Sequence, residues 1–196
     1  MDKELTFALA EIGAIKFGEF RLKSGMISPV YLDLRVLVSH PSVLRMVAKA
    51  LAKVLGTLDF QRLAAIPYAA LPIGTAVALE MDRPLIYPRR EKKDYGTARA
   101  IEGKFHPGET AVVIDDVITT GASKIEAIEP LIAAGLKVKD IVVLIDREQG
   151  GAAELAGRGY RVHSVLKMKE CVQVLKEANQ ITDEQYEQVL VFLSRP

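Results

Sequence analysis

The sequence has few of the residues that build disulfides and zinc sites. Among its 196 residues there are one cysteine, three histidines and no tryptophan. A single cysteine excludes an internal disulfide and fits a reducing compartment, and no cluster of histidine and cysteine indicates zinc. Cys171 lies in a helical apolar pattern with Val174 and Leu175. That pattern predicts a packed thiol rather than a nucleophile.

An excess of one charge and a long apolar run are also missing. Lys and Arg number 26 against 25 Asp and Glu, so the net charge of +1 gives no general attraction for nucleic acid or membrane. The longest uncharged run, 63–79, is short for a membrane span and contains Pro67, Pro72 and Gly74. The first residues include early acids and no apolar signal-peptide run. We expect a cytoplasmic protein without a nucleic-acid or membrane partner.

Strand-like and helical patterns alternate along the chain, whose length suits one domain. The predicted elements begin with a helix in 3–15 that ends near Gly13, two strands at 17–22 and 29–35, and a helix from Pro41 to Leu55. Strand-like runs then occupy 62–66, 84–87, 110–116, 139–145 and 160–166. Helical patterns occupy 71–81, 121–134, 150–157 and 167–178, and Thr182 with Gln185 predicts a capping box for a last helix. The alternation predicts an α/β fold with a central, mostly parallel sheet flanked by helices.

The stretch 111–123, AVVIDDVITTGAS, carries the strongest functional signal. A short buried strand ends in Asp115 and Asp116, at the sheet edge where open α/β folds bind ligands. The hydroxyl- and glycine-rich turn that follows offers backbone amides and a helix N-terminus, which suit a phosphate. Carboxylates beside a phosphate site make sense if they hold ribose hydroxyls or a Mg²⁺. One ligand with all these parts is 5-phosphoribosyl 1-diphosphate (PRPP).

The simplest alternative is that the two aspartates cap the next helix and the turn has no ligand. The complete order of strand, Asp-Asp, Thr-Thr-Gly-x-Ser and helix is less common than such caps, so we favour PRPP. The stretch resembles the signature of the type I phosphoribosyltransferases. The chain contains neither a GxxxxGK[ST] nor a GxGxxG sequence, so neither a Walker loop nor a dinucleotide-binding site is indicated.

Residues 88–108 form a second unusual segment, because they are highly charged and lack a periodic pattern. Such a long loop in a compact domain usually serves as a lid or binding loop. Without the first motif, a solvated charged loop would be the simpler interpretation. Cations that close over a departing pyrophosphate would act mainly in the transition state.

The sequence RREKKDYGTARAIEG in this segment resembles the catalytic loop of the orotate phosphoribosyltransferases. The resemblance implies that Arg89, Arg90 and Lys93 bind pyrophosphate and that Asp94 is the acidic residue of the loop. Tyr95 replaces a histidine found in many bacterial members, as in the corresponding half of eukaryotic UMP synthases. Its phenol, with an ordinary pKa of about 10, suits hydrogen bonding better than proton transfer at neutral pH.

The resemblance extends to both ends of the chain. It places Lys23 in a Lys-Ser-Gly ligand-binding turn, Tyr31 and Leu32 in the orotate pocket, and Tyr68 at a PRPP-binding position. Arg147 follows a strand and corresponds to an arginine that contacts the orotate carboxylate, a group that guanidinium can bind through two hydrogen bonds. The alternatives are an ordinary hairpin turn at Lys23 and an Asp146–Arg147 surface pair.

The resemblance covers nearly the whole chain and implies a type I phosphoribosyltransferase fold, with an N-terminal hood at about 1–35 and a core at about 36–196. The expected catalytic residues are Lys93, Asp115, Asp116 and Arg89. The expected substrate-binding residues are Lys23, Tyr31, Leu32, Tyr68, Arg89, Arg90, Lys93, Tyr95, Asp115, Asp116, Val117, Ile118, Thr119, Thr120, Gly121, Ala122, Ser123 and Arg147.

The implied reaction joins PRPP and orotate to give orotidine 5′-phosphate (OMP) and pyrophosphate, in pyrimidine nucleotide synthesis. Mg²⁺ would be bound mainly through PRPP and water, with no protein metal ligands. The resemblance also implies a homodimer with shared active sites and leaves open an association with an OMP decarboxylase. Two alternatives stay open: a transferase of this fold for another base, and a non-catalytic PRPP-sensing regulator.

Overall fold

The computed structural model describes residues 2–21, 25–90 and 100–194. The helices are α1 (Lys3–Glu11), α2 (Pro41–Leu55), α3 (Ala70–Met81), α4 (Ala122–Ala133), α5 (Gly151–Gly157), α6 (Met168–Glu177) and α7 (Asp183–Leu193). The strands are β1 (Ile15–Arg21), β2 (Ile27–Leu32), β3 (Arg62–Ala65), β4 (Leu85–Pro88), β5 (Ile101–Glu102), β6 (Thr110–Ile118), β7 (Lys137–Asp146) and β8 (Arg161–Lys167).

Among the described residues, six strands form the central sheet in the order β5-β4-β3-β6-β7-β8. All neighbours are parallel except β4 and β5, which pair antiparallel at one edge. The α/β fold with a mostly parallel sheet is therefore confirmed. The order places β3, β6 and β7 side by side at the centre, so the segments that follow these strands meet at one edge of the sheet.

The central strands are buried on both faces, which explains their continuous apolar sequences. On β6, Val112 and Ile114 pack into the larger core beneath α1, α2, α3, α6 and α7. Ala111 and Val113 point the other way, into the core that α4 and α5 cover. Cys171 is fully buried in the larger core, as predicted, and burial raises the pKa of its thiol to about 11.

Strands β1 and β2 form a separate antiparallel pair at the N-terminal end. Helix α7 packs against β2, which joins the end of the described chain to its beginning. The predicted capping box is confirmed, because the Thr182 hydroxyl accepts from the Gln185 amide while the Gln185 side chain accepts from the Thr182 amide.

Two predicted boundaries need correction, and one strand was not predicted. Helix α1 ends at Glu11, two residues before its expected end near Gly13, which adopts a left-handed φ of 71°. The second strand ends at Leu32, and Leu34–Ser39 form a 3-10 helix instead of continuing it. The aperiodic range 88–108 contains β5, which was missed because a two-residue strand has no period. None of the described helices is long and apolar enough to cross a membrane.

Candidate active site

Backbone hydrogen bonds hold three segments together at the carboxyl edge of the sheet. The Ile66 amide, just after β3, donates to the Ile114 carbonyl of β6 at 3.0 Å. The Arg147 amide, just after β7, donates to the Ile118 carbonyl at 3.0 Å. The Gly151 amide, at the start of α5, donates to the Thr119 carbonyl at 3.1 Å. The Asp-Asp motif, the hydroxyl turn and Arg147 therefore share one edge.

Asp115 is buried and paired with a lysine that the sequence analysis did not single out. The Lys124 Nζ lies 2.6 Å from Asp115 Oδ2, and both side chains are less than a tenth exposed. The same ammonium donates to the Val117 carbonyl at 2.5 Å and to Ser123 Oγ at 3.3 Å. Lys124 thus connects the end of β6 with the start of α4 and closes the base of the turn between them.

Asp116 has a different environment from Asp115, although the sequence analysis treated the two alike. Successive residues of a strand point to opposite faces, so only Asp115 points towards Lys124 on α4. Asp116 Oδ1 accepts from the Val117 amide at 2.8 Å. Burial, followed by the charge of the neighbouring Asp115, raises the pKa of Asp116 to about 7. Asp116 is thus the carboxylate whose charge changes near neutral pH.

This pKa predicts that Asp116 destabilises the fold at alkaline pH. An aspartate with a pKa of about 3.9 in the unfolded chain and about 7 in the folded chain costs stability as pH rises between these values. We expect Asp116→Asn to raise the unfolding temperature at pH 8 by about 5–10 °C, with the gain disappearing by about pH 4. Thermal unfolding from pH 4 to 8 measures this, and a gain that grew towards low pH would contradict it.

The turn 119–123 presents several free backbone donors. Within the described residues, the amides of Thr119, Thr120, Ala122 and Ser123 have no hydrogen-bond partner. The Gly121 amide is different, because it donates to the Glu154 carboxylate of α5 at 3.0 Å. Free amides at a helix N-terminus are the arrangement that binds phosphate oxygens. Ile118 is fully buried, so only its backbone can reach a ligand.

Arg147 is a partly buried cation without an anionic partner in the described structure. Its Nε and Nη2 atoms are buried and have no hydrogen-bond partner there. Its guanidinium lies 5.7 Å from the centre of the Phe192 ring on α7, and burial lowers its pKa. An Asp146–Arg147 surface pair is therefore excluded, since Asp146 Oδ1 accepts from the Glu148 amide at 2.7 Å instead. Buried unpaired guanidinium nitrogens suit an anionic ligand.

The structure describes some of the other predicted site residues and not others. Arg89 pairs with Glu102 across the β4–β5 edge, and the Arg90 guanidinium lies 5.7 Å from the Tyr68 ring centre. The Tyr31 hydroxyl accepts from Arg35 at 3.1 Å, and Leu32 ends β2. Lys23, Lys93 and Tyr95, together with Asp94, lie outside the described residues.

Comparisons with known proteins show the family to which the chain belongs. Residues 35–176 match the model of the phosphoribosyl transferase domain family. The chain is 39% identical over 188 residues to an orotate phosphoribosyltransferase of Pyrobaculum aerophilum, with 95% of this chain and 96% of that protein covered. The chain belongs to the orotate phosphoribosyltransferase family.

Some longer members of the family have a higher sequence identity to the chain. It is 44% identical over 191 residues to the uridine 5′-monophosphate synthase of Bos taurus, covering 96% of this chain and 40% of that protein. The solved structure of Leishmania donovani UMP synthase superposes with a TM-score of 0.91 at 46% identity, covering 97% of this chain and 42% of that chain. The chain thus spans about two fifths of the length of these synthases.

Two side chains of the site, Lys124 and Glu154, were not predicted from the sequence. Lys124 and Glu154 were missed because their partners, Asp115 and Gly121, lie nine and 33 residues away. A lysine in the first turn of a helix that follows a strand ending in Asp-Asp was the available signal. The described residues contain no group of three or more His, Cys, Asp or Glu that could hold a metal ion.

Proposed function

We propose that the chain catalyses the transfer of a phosphoribosyl group from PRPP to orotate, which gives OMP and pyrophosphate. The observation that carries the proposal is the buried, unpaired guanidinium of Arg147 at the same sheet edge as the Asp-Asp motif and the free amides. PRPP needs contacts for its ribose and its phosphates. Orotate needs a cation that pairs with its planar carboxylate. The family membership supports the same pair of substrates.

The described residues bind and orient the reactants rather than react covalently. The free amides of the 119–123 turn hold the 5′-phosphate, and Asp116, with Asp115 behind it, accepts from the ribose hydroxyls. Arg147 holds the orotate carboxylate so that the ring nitrogen lies behind the anomeric carbon. Substitution there then proceeds with inversion through an oxocarbenium-like state, and positioning supplies most of the rate.

Mg²⁺ fits this site only as an ion carried by the substrate. Asp115 already neutralises its charge with Lys124, so Asp116 is the single free carboxylate of the motif. Mg²⁺ keeps several waters and commonly binds substrate phosphates with one or two carboxylates. When bound to PRPP, it would neutralise charge that develops on the departing pyrophosphate.

We also propose a homodimer that shares its active sites, as the family resemblance implies. Helix α3 supports this, because its sequence is apolar on nearly every face and Leu79 is 82% exposed. Tyr68, just before α3, is also more than half exposed, on the side where Arg90 leads into the 91–99 segment. A second copy would cover this apolar surface and bring its own 88–108 segment near the site.

An association with an OMP decarboxylase is a further part of the proposal. Its support is that the synthase relatives are about two and a half times as long as the part that this chain matches. We keep the cytoplasm as the proposed location, on the basis of the single cysteine. A transferase for another base has less support, because uracil and purines lack the carboxylate that would pair with Arg147.

Replacing Arg147 tests the choice of base. Loss of a charged hydrogen-bonded contact costs about 1.5–3 kcal/mol, so Arg147→Ala should raise the orotate KM by about one to two decades. The PRPP KM should stay nearly unchanged. Arg83→Ala is a matched control, because the Arg83 guanidinium also lies over a ring, 5.8 Å from the centre of Phe60. An unaltered orotate KM in Arg147→Ala would place the carboxylate elsewhere.

Gly151 allows a test of the phosphate turn. A Cβ at Gly151 would lie 2.8 Å from both the Thr119 carbonyl oxygen and Ile118 Cγ1, so the turn must shift. We expect Gly151→Ala to lower kcat/KM for PRPP by about 10- to 100-fold, since small displacements of positioning groups are costly. Gly157→Ala is the control, because the same helix leaves its Cβ nothing within 4 Å. Equal PRPP kinetics in the two variants would disprove a role for this turn.

A further inference from the structure

Arg147 is flanked in sequence by two carboxylates that could neutralise it but do not. The strand β7 ends in Asp146, and Glu148 follows Arg147 directly. In the described part of the chain, neither carboxylate hydrogen-bonds to the buried Nε or Nη2 of Arg147. A partly buried guanidinium beside two acids would ordinarily pair with one of them. Other contacts of the two carboxylates must therefore prevent them from pairing with Arg147.

Both carboxylates are engaged with backbone amides instead. Asp146 Oδ1 accepts from the Glu148 amide at 2.7 Å. Glu148 Oε2 accepts from the Lys169 amide at 2.9 Å, in the first turn of α6. A carboxylate at this position satisfies an amide that has no partner within the helix and interacts favourably with the helix dipole.

The backbone of Glu148 is held in an unusual conformation. Its φ is +59°, in the left-handed region that residues other than glycine rarely adopt. Such a conformation persists when the surrounding contacts require it. Here the contacts are the Asp146 hydrogen bond on one side and the α6 cap on the other. Three residues further along the chain, the Gly151 amide donates to the Thr119 carbonyl and holds the backbone there.

We infer that Glu148 is a positioning residue, which caps α6 and thereby holds Arg147 unpaired and oriented for the carboxylate of the substrate. The inference rests on the proposed function, because it assigns Glu148 an effect on orotate binding. Glu148 does not touch the substrate in this account. It acts by turning its own carboxylate towards α6 and by fixing the backbone that carries the guanidinium.

Loss of the Glu148 charge should change the orotate KM in the opposite direction from loss of the α6 cap, so the experiment must measure the two effects separately. Removing a carboxylate next to Arg147 would by itself increase the attraction for an anionic substrate. Glu148→Gln removes the charge but keeps an oxygen that can accept from the Lys169 amide. Glu148→Ala removes both, while Glu148→Gly also relieves the left-handed backbone.

The test is a comparison of steady-state constants for wild type, these three variants, Arg147→Ala and Asp2→Ala. Asp2 is a matched control, since its carboxylate caps α1 by accepting from the Leu5 amide at 3.0 Å. We expect Glu148→Ala to raise the orotate KM about tenfold, at the lower end of the loss expected for Arg147→Ala itself, with the PRPP KM changed less than twofold. Glu148→Gln should stay within about twofold of wild type, which a merely electrostatic role would not allow. Glu148→Gly should raise the orotate KM as much as Glu148→Ala does, but it should unfold at a higher temperature than Glu148→Ala.

Several results would overturn the inference. If Glu148→Ala changes the orotate and PRPP KM equally, or changes neither more than Asp2→Ala does, Glu148 is only a structural cap. If Glu148→Gly restores the wild-type orotate KM, the backbone and not the carboxylate positions Arg147. If Arg147→Ala raises the orotate KM while Glu148→Ala does not, the proposed function stands and this inference fails. If wild type consumes no orotate, both fail.

Discussion

Replacing Asp115 and Asp116 together with asparagine should abolish turnover in a chain that remains folded. Asp116 is expected to accept from the ribose hydroxyls of PRPP, a charged contact that contributes about 1.5–3 kcal/mol, while Asp115 fixes the turn through its pairing with Lys124. Loss of the ribose contact and displacement of the turn together predict a decrease in kcat/KM for PRPP of about two to four decades. The measurement is orotate consumption at varied PRPP with saturating orotate and Mg²⁺, with circular dichroism as the test of folding.

The design needs a control for Lys124. The double substitution leaves the Lys124 ammonium buried without its counter-charge, and an unpaired buried charge can cost 3–5 kcal/mol of stability. Adding Lys124→Met to the double variant removes that charge and should restore stability without restoring activity. Near-normal catalytic efficiency in a folded double variant would remove the PRPP assignment of this motif.

Two inactive variants should regain activity when their subunits are exchanged. Lys93→Ala removes a cation of the 88–108 segment, and Asp115→Asn/Asp116→Asn removes the carboxylates, so each should be inactive alone. If the segment acts in the partner's site, a mixed dimer contains one complete site. Random exchange at equal concentration makes about half of the dimers mixed, so activity should approach roughly a quarter of wild type.

The control for this result is the exchange itself, which differently tagged chains can verify. If tagged heterodimers form and activity stays at the level of the separate variants, the segment acts within its own subunit. The shared-site proposal would then be wrong, while the PRPP and orotate assignments would be unaffected.

The sequence was sufficient for the fold because its strands and helices have regular periods. The buried strand before Asp115 and the helix that begins at Pro41 lie where their patterns predicted. The two-residue strand β5 could not be found in this way, because its only support is pairing with β4. The first helix was expected to end near Gly13; this glycine has a left-handed φ, and the helix ends two residues before it, at Glu11.

The site was predictable where its residues are adjacent in sequence and not where they meet through folding. The Asp-Asp motif and its turn are continuous, so their chemistry could be inferred directly. The pairing of Lys124 with Asp115 depends on how α4 leaves the turn, which no local pattern gives. The unpaired state of Arg147 depends on hydrogen bonds that its two acidic neighbours make elsewhere.

The most direct test of the account is a competition among bases. The purified chain, PRPP and Mg²⁺ are mixed with orotate, uracil, hypoxanthine and adenine together, and the nucleotide products are separated. OMP should be the dominant product, formed with an equal amount of pyrophosphate, and Arg147→Ala should lose that preference. Equal or greater formation of another nucleotide by wild type, or no PRPP consumption with any base, would contradict it.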